Sequence, residues 1–304
     1  MTDAAVPRWR GQPGRLEVWY ASATDIATGM GLWLHYELVA PTADAAYLHG
    51  WLATFPVDGP PSYERFGPEA VTPAGEDWMS GSNFSIGPTR LTGTLTGTAW
   101  DLEWATDEPP MWTMSKATWQ REILPSSHVV LAPKARLIGI VNAQPIDAVG
   151  NLSHIYGHGN AQRWAWLHAD LDDTTSLEVI AAVGRRPALR RLPPLAFVQL
   201  RRHGHDWPSN PLASAALFRA KLGQERWSVR GIVGRHRLSV DVVQPADRCV
   251  ILDYRDPDGA TATCSNTETA DVEVRLEKFT GRWRVENYWR LEKTAHAERG
   301  YRGS

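Results

Sequence analysis

The sequence predicts an all-β protein built of two antiparallel barrels packed side by side, with few short helices. Three observations lead to this fold class: polar and apolar residues alternate with a period of two, turn-forming residues separate these segments, and helical periodicity is scarce. The chain has 304 residues, and at roughly 150 residues per domain this length fits two domains. Closed or nearly closed barrels would also remove the exposed strand edges that so many strands create.

Composition and charge narrow the classes of function. Apolar residues make up 43% of the chain and charged residues 22%, which is typical of a globular protein. The formal net charge of −2 gives no sign of the basic surface that binds nucleic acid. No apolar run is long enough to span a membrane, and the first twelve residues carry no secretory signal pattern. We therefore expect a partner that is a small molecule.

The two cysteines, Cys249 and Cys264, flank a strong turn signal at residues 256–259. If this turn closes a hairpin, the two residues are diagonal neighbours about 7–8 Å apart between Cα atoms, at or beyond the usual limit for a disulfide. We expect both cysteines to be reduced and the protein to be cytoplasmic.

Tryptophan is the majority aromatic residue, with 15 Trp against 8 Tyr and 6 Phe. Because a buried indole needs a partner for its N–H, this bias indicates half-polar surfaces such as barrel walls and ligand clefts. Three early strands are predicted at Leu16 to Thr24, Leu32 to Val39 and Tyr47 to Phe55. The last two each place a tryptophan, Trp33 or Trp51, on a face that also carries ionisable side chains.

Three other segments have distinct patterns. Leu91 to Thr98 alternates threonine with leucine and glycine, which predicts a strand, and the phase change after Ala99 predicts a β-bulge. Asn210 to Leu222 has helical spacing but is equally compatible with a strand. Arg185 to Leu195 is rich in proline and arginine and is expected to be a loop.

A weak internal repeat supports two domains. Trp19 and Trp164 each lie in a tryptophan-containing strand that enters a polar turn, and they are 145 residues apart, close to half the chain. We place the boundary near Gln144-Pro145, which gives domains at 1–145 and 146–304.

The densest cluster of polar and aromatic residues runs from residue 158 to residue 170. One face of this predicted strand carries mostly small residues, with Arg163 as the exception. The other face carries His158, Asn160, Gln162, Trp164, Trp166, His168 and Asp170. Such a face is too polar for a dry core and too aromatic for a solvated surface. It fits the wall of a cavity or an interface between two barrels, and we expect its bulky side chains to line a hollow for an apolar guest.

Metal and nucleophilic chemistry find little support. On an extended strand His154 and His158 lie about 13 Å apart, too far to share one metal ion without a tight turn. The histidines near residue 204 are better interpreted as solvated loop residues. The sequence contains no G-x-S-x-G motif, Walker loop or dinucleotide fingerprint. No metal and no cofactor are predicted.

General acid chemistry stays open. A carboxylic acid inside an apolar cavity would have a raised pKa and could protonate an alkene or a carbonyl. An unpaired carboxylate in such a cavity would favour catalysis, although each candidate alone is more simply a surface or turn residue. The carboxylates on aromatic-rich strands are Glu37, Asp101, Glu103, Asp170 and Asp253.

The run from Trp164 to Asp173 resembles the W-x-W-x-x-x-x-L-D-D strand and turn of carotenoid 1,2-hydratases (hydroxyneurosporene synthases). The segments Trp19 to Tyr36 and Tyr47 to Trp51 are similar to the opening strands of AttH-like proteins, whose lipocalin-like superfamily also includes fungal Diels–Alderases. The resemblance implies two lipocalin-like barrels, with a ligand pocket in or between them. It also implies cofactor-free chemistry on apolar, polyene-like molecules of bacterial secondary metabolism: water addition, cyclisation or pericyclic closure. It matches no catalytic acid.

Two kinds of function are compatible with these features. In the first, an enzyme binds a terpenoid, polyene or polyketide-like molecule and catalyses its hydration, cyclisation or isomerisation. His158 or His168 would donate the proton, and Trp164 and Trp166 would face the developing cation. The other predicted substrate-binding residues are Asn160, Gln162, Trp33 and Trp51. In the second, a non-catalytic carrier or scavenger uses the same cavity only to bury a hydrophobic ligand.

Overall fold

The computed structural model describes residues 4–72, 75–122 and 124–303 and confirms the all-β prediction. Two antiparallel sheets account for most of the described chain, and each sheet curls into a half-barrel. The described residues also form two short helices, α1 (Lys116–Arg121) and α2 (Pro211–Leu217).

The first sheet has its strands in the order β4-β3-β2-β1-β10-β9-β8-β7-β6-β5. Their bounds are β1 (Arg15–Asp25), β2 (Gly31–Ala40), β3 (Tyr47–Phe55), β4 (Ser62–Ala70), β5 (Met79–Ser80), β6 (Phe84–Ile86), β7 (Arg90–Leu95), β8 (Thr98–Ala105), β9 (Ser126–Val141) and β10 (Gln144–Gly157).

The second sheet has the order β14-β13-β12-β11-β20-β19-β17-β16-β15, and β18 pairs with β19 outside this path. The bounds are β11 (Arg163–Asp172), β12 (Thr175–Val183), β13 (Leu195–Arg202), β14 (His205–Trp207), β15 (Phe218–Leu222), β16 (Arg226–Val233), β17 (His236–Val243), β18 (Val250–Arg255), β19 (Thr261–Phe279) and β20 (Trp283–Arg302).

The chain divides into two compact units. Unit 1 comprises Met1–Met111, Thr118–Gly159 and Arg255–Thr261, and unit 2 comprises the remaining segments. Strand β10 pairs with β9 from residue 144 to residue 157 and with β1 from residue 148 to residue 157, so residues 144–157 belong to the first sheet. The main exchange between units therefore follows Gly159, whereas the sequence placed it after residue 145. The division into domains at 1–145 and 146–304 stays a prediction.

The two sheets repeat one topology. Each begins with a four-stranded meander, and in each the first strand of the meander pairs with the last strand of a long hairpin, β9–β10 or β19–β20. Strands β1 and β11 are thus equivalent, as the repeat predicted. The residue alignment was out of phase, however, because Trp19 stacks on His154 inside the first half-barrel while the core of unit 2 contains Ala165 rather than Trp164. Alternate residues of a strand point to opposite faces. Because Trp19 and Ala165 both point inward, equivalent residues of β1 and β11 are separated by an even number, whereas the predicted offset of 145 is odd.

The inner face of the first sheet is identified by contacts between strands that are distant in the sheet order. Tyr36 on β2 packs against Phe66 on β4 and Phe84 on β6, and the indole N–H of Trp100 on β8 donates to the Tyr36 hydroxyl at 2.7 Å. The residues that pair with Tyr36 on neighbouring strands, and those two positions away from it on β2, therefore point inward. The residues between them point to the outer face.

The inner face of the second sheet forms an apolar core of alanine, valine and leucine. Ala165, Leu167 and Ala169 of β11 all belong to this core. The small-residue side of the predicted strand is therefore the side that packs inward, and the bulky side lies on the outer face of the sheet.

Local corrections concern a turn and a helix. The stretch Leu91 to Thr98 is a hairpin rather than one strand, because Leu95 pairs with Thr98 and the chain turns at Thr96-Gly97, where Gly97 has a φ of +84°. This turn, not a bulge, produces the phase change near Ala99. The segment 210–222 contains first a helix and then a strand, because α2 leads directly into β15. The Asn210 side chain caps α2 by accepting a hydrogen bond from the Leu212 N–H.

Cys249 and Cys264 are both buried, and neither forms a disulfide. The turn at 256–259 does connect β18 and β19. Within the described residues, no helix has the length and hydropathy needed to cross a lipid bilayer.

Candidate functional site

The outer face of the first sheet carries a buried group of ionisable and aromatic side chains. Antiparallel register places Tyr20 of β1 opposite His35 of β2, and His35 opposite Trp51 of β3. Steps of two residues add Trp33 and Glu37 to the same face of β2. We call this group the unit 1 cluster: Tyr20, Trp33, His35, Glu37, His49, Trp51 and His128. Every member is at most 6% exposed, so the cluster is shielded from water.

Glu37 lies at the centre of the ionisable groups. Its Oε2 is 3.2 Å from His35 Nε2, a hydrogen bond, and 3.8 Å from His49 Nε2, which is too long for one. Its Oε1 has no hydrogen-bond partner among the described residues, and neither ring nitrogen of His49 has one. Unsatisfied buried polar atoms are rare in folded proteins, and each needs an explanation such as a water, an ion or a catalytic role.

Burial raises the pKa of Glu37 to about 7, with Asp256 adding to the increase and His49 and Arg65 opposing it. Burial also lowers the pKa of His49 to about 4, although the negative charge of Glu37 works against this shift. At neutral pH His49 is therefore uncharged, and Glu37 is protonated in a substantial fraction of molecules. A protonated carboxyl in a dry site is a proton donor.

Aromatic rings surround these groups. The His35 ring lies 4.9 Å from the Trp33 ring and 5.3 Å from the Trp51 ring, measured between centroids. The Trp51 ring is also 4.8 Å from His49, edge to face. On the other side, the Tyr20 hydroxyl is 2.8 Å from His128 Nε2. The cluster thus combines an acid with indole faces that can stabilise a cation.

The outer face of the second sheet carries a comparable group. We call it the unit 2 cluster: Trp166, His168, Glu178, Glu268 and His296, all at most 6% exposed. Glu178 accepts a hydrogen bond from Trp166 Nε1 at 2.5 Å through Oε1, and its Oε2 is 2.9 Å from His168 Nδ1. His296 Nδ1 lies 2.5 Å from Glu268 Oε2, and the two imidazoles stack with centroids 6.1 Å apart.

His168 is held as a cation. Burial alone would lower the pKa of His168, but the carboxylates of Asp170 and Glu178 outweigh it and raise the pKa to about 9. Glu178 is hydrogen-bonded to Nδ1, and Asp170 Oδ1 lies 3.8 Å from Nε2. Burial raises the pKa of Glu178, against the hydrogen bonds from His168 and Trp166. Because Glu178 has a donor on each oxygen, we assign its proton to His168 at neutral pH.

The predicted site residues are only partly brought together. Trp33 and Trp51 lie in the unit 1 cluster, and Trp166 and His168 lie in the unit 2 cluster. Trp164 is 9% exposed and donates its indole N–H to Glu298 at 2.6 Å. Strand β11 begins only at Arg163, so the first residues of the predicted face are not part of it.

Those first residues occupy other positions. His158 belongs to unit 1, is half-buried, and accepts a hydrogen bond from Arg15 at 3.0 Å through Nδ1. Asn160 is half-buried in unit 2. The Gln162 side chain donates to the Arg302 carbonyl at 2.8 Å, which ties the chain just before β11 to the end of β20.

The other candidate carboxylates have simpler surroundings. Asp101 forms an exposed ion pair with Arg90, whose hydrogen bonds lower the pKa of Asp101. Glu103 and Asp253 are exposed. Asp170, partly buried, accepts a hydrogen bond from Ser176 at 2.7 Å. Of the five, Glu37 alone combines burial with an unpartnered oxygen within the described chain.

His35, His49, Tyr20 and His128 were not singled out as site residues by the sequence. A signal was present, because Trp33, His35 and Glu37 share one face of β2, but the pairing of that face with β1 and β3 is a property of the sheet register. Among the described residues, no group of three or more His, Cys, Asp and Glu side chains is arranged to hold a metal ion.

Comparison with known proteins places the chain in a family. The sequence model of the family described as tocopherol cyclase-like matches residues 82–300, and the chain belongs to this family. It is also 47% identical over 308 aligned residues to the uncharacterized protein Rv0493c of Mycobacterium tuberculosis strain H37Rv, covering 99% of this chain and 91% of that protein. The uncharacterized protein MT0513 of strain CDC 1551 matches equally.

Solved structures share the fold at low sequence identity. A putative AttH from Nitrosomonas europaea superposes with a TM-score of 0.57 at 16% identity, covering 94% of this chain and 92% of that one. CghA gives 0.61 at 13% identity, covering 100% and 96%. Kievitone hydratase from Nectria haematococca gives 0.56 at 10%, covering 98% and 94%. The predicted resemblance to AttH-like proteins is confirmed at the level of the fold.

Proposed function

We propose that the unit 1 cluster is an active site in which Glu37 protonates an unsaturated bond of a mostly apolar small molecule. The observation that carries the proposal is the state of Glu37: a carboxyl that is 2% exposed, has a pKa raised by burial to about 7, and keeps one oxygen unpartnered. Structural carboxylates in protein interiors usually have their oxygens satisfied.

The geometry suggests a division of labour between the two carboxyl oxygens. Oε2 stays hydrogen-bonded to His35, which fixes the orientation of the group, while the proton on Oε1 is free to transfer. Transfer to an alkene carbon leaves the Glu37 carboxylate and a carbocation on the substrate. Trp33 and Trp51 stabilise this cation through their ring faces.

The cation is then consumed in one of two ways. A water molecule adds to it and returns a proton to the Glu37 carboxylate, so the net reaction is addition of water. Alternatively, a second double bond or a hydroxyl group of the substrate closes a ring, and the proton lost from the product restores Glu37. Both courses regenerate the acid without a redox step.

The comparisons support this class of reaction. One neighbour is named a hydratase and the family is described as tocopherol cyclase-like, and protonation of an alkene can begin both hydration and cyclisation. The solved neighbours are at most 16% identical, so the substrate and the enzymatic activity of this chain remain our proposal. A role for His158 or His168 as proton donor, and for Trp164, Trp166, Asn160 and Gln162 in substrate binding, also stays a prediction.

The test measures whether isoprenoid alkenes gain deuterium or water from the solvent when they are incubated with the protein. The protein is incubated in deuterium oxide with farnesol, geranylgeraniol and retinol, and products are analysed by mass spectrometry for added deuterium or added water. We expect incorporation with the wild type and about a 10²- to 10⁴-fold lower rate with Glu37→Gln, the range for loss of a general acid. Glu103→Gln, an exposed carboxylate on β8, is the matched control.

Binding is measured in parallel by tryptophan fluorescence. Glu37→Gln should still bind the alkene that the wild type converts, since the amide keeps the shape of the site. The proposal would be contradicted if Glu37→Gln kept full turnover while His158→Ala or His168→Ala lost it. That result would favour one of these histidines as the proton donor. A wild type that binds alkenes but never incorporates deuterium would favour the alternative function, a non-catalytic carrier.

A further inference from the structure

The loop that connects β12 and β13 is unusually exposed and basic. Every residue from 186 to 193 is exposed to solvent. Its basic side chains are Arg185, Arg186, Arg190 and Arg191. Leucines are interspersed among them and are also exposed: Leu189 at 41%, Leu192 at 55% and Leu195, the first residue of β13, at 51%. Exposed leucines next to arginines mark a surface for an amphipathic partner.

The sequence around the loop is basic. Between Glu178 and Asp206 the chain contains six arginines and no aspartate or glutamate. The neighbouring strand ends extend the basic character, because Val183 at the start of the loop pairs with exposed Arg163, which in turn pairs with exposed Tyr301. Arg302 follows at the end of β20.

We infer that this loop docks unit 2 on a bilayer surface that contains anionic phospholipid. The arginines would contact headgroup phosphates, and Leu189 and Leu192 would enter the interface between headgroups and acyl chains. Nucleic acid also attracts arginine, but it offers no apolar region in which exposed leucines are buried. The paired presence of basic and aliphatic side chains therefore favours a membrane over a polyanion.

Two exposed arginines on the strands of unit 1 provide an internal comparison. Arg90 and Arg136 each form an ion pair with an aspartate, Asp101 and Asp147 respectively. Their charge is thus balanced locally, and we expect no membrane affinity from them. The docking inference goes beyond the proposed catalytic function and does not depend on it, because the membrane surface and the alkene site are measured separately.

The experiment is flotation of the full-length protein with phosphatidylcholine vesicles, prepared with and without phosphatidylglycerol, at low and at high salt. We expect the wild type to float only with the anionic vesicles and to be released by salt. Arg190→Gln/Arg191→Gln should weaken the partition coefficient at least tenfold, since each basic residue near an anionic surface contributes about fivefold. Leu189→Ser/Leu192→Ser should weaken it with little change in salt dependence.

Arg90→Gln/Arg136→Gln is the matched control and should float like the wild type. All substituted residues are exposed, and a thermal melt of each variant confirms that it is folded. The inference is overturned if the wild type does not float with anionic vesicles, or if the control variant loses as much binding as the loop variant. It is also overturned if only the arginine pair matters and duplex DNA competes fully, which would indicate a polyanion site.

Discussion

The two half-barrels carry buried histidine–carboxylate groups on equivalent strands, yet the carboxyls of Glu37 and Glu178 differ in how their oxygens are satisfied. In the unit 2 cluster, Glu178 has a donor on each oxygen, from Trp166 and from His168. In the unit 1 cluster, Glu37 has one partner, His35, and one bare oxygen. Hydrogen-bond donors on both oxygens stabilise the ionised form of a buried carboxyl, whereas a carboxyl with one bare oxygen is more readily protonated and can act as an acid.

The charge states follow from this difference. Two carboxylates keep His168 protonated and raise its pKa to about 9, so His168 and Glu178 form an ion pair at neutral pH. Burial lowers the pKa of His49 to about 4 and raises that of Glu37 to about 7, so His49 is uncharged and Glu37 is protonated in a substantial fraction of molecules. A neutral acid can protonate a substrate, whereas a paired ion mainly stabilises the fold.

The largest expected effect is a difference in the free energy of unfolding between variants of Glu178 and of Glu37. Glu178→Ala removes the partner of a buried imidazolium and should lower the free energy of unfolding by about 3–5 kcal/mol. Glu37→Gln, which replaces an acid that is already protonated in a substantial fraction of molecules, should cost about 1 kcal/mol or less. Urea denaturation of both variants measures the difference. Equal losses would mean that the two clusters do not differ in charge state.

The pH dependence of stability provides the next test. The His168 pKa is raised from 6.5 to about 9 on folding, so its stabilising contribution is complete below pH 6.5 and is lost as pH rises through 9. The size of this contribution is about 3 kcal/mol. Denaturation midpoints should therefore fall between pH 6.5 and pH 9 in the wild type. In His168→Gln the fall should be absent, and an unchanged profile would contradict the ion pair.

Trp166→Phe should have an intermediate effect. The change leaves Glu178 Oε1 without its indole donor, and an unsatisfied buried acceptor costs about 1–3 kcal/mol. Trp33→Phe instead should weaken apolar ligand binding, because Trp33 contacts His35 in the unit 1 cluster. Thermal melts and fluorescence titrations with geranylgeraniol distinguish the two. Weaker ligand binding in Trp166→Phe, with stability unchanged, would support the predicted substrate role of Trp166.

The smallest effect is expected at an exposed carboxylate. Asp101 and Arg90 form a surface pair with side chains 42% and 55% exposed, and such pairs contribute about 0–1 kcal/mol. Asp101→Asn should leave the rate of deuterium incorporation unchanged and shift the melting temperature only slightly. A large loss of turnover would show that burial is not what selects the acid.

Strand periodicity made much of the fold predictable. Tyr47–Phe55 is a strand with the predicted bounds, and Leu32–Val39 lies within β2. The turn at Thr96-Gly97 was missed because threonine and glycine continue the alternation of the flanking strands. The strand predicted from residue 158 begins at Arg163 instead, since alternation in a sequence does not require extended pairing.

The candidate site was less predictable than the fold. Glu37 was one of five carboxylates on aromatic-rich strands, and the face that it shares with Trp33 and His35 did not show that it would be buried while Asp101 stays on the surface. The distinction depends on which faces are covered and on the register that sets His35 opposite Tyr20 and Trp51. Both are properties of the assembled sheet, so they follow only from long-range pairing.

The central claim is that Glu37 keeps its proton in a substantial fraction of molecules near neutral pH. Its most direct test is a pH titration of the glutamate side-chain carboxyl signals by carbon-13 NMR, with Glu37→Gln used to assign the Glu37 signal. The account predicts a carboxyl that titrates near pH 7, the pKa that burial gives Glu37, and that is missing from the variant. A Glu37 signal that titrates at the ordinary glutamate pKa of 4.5 would contradict it.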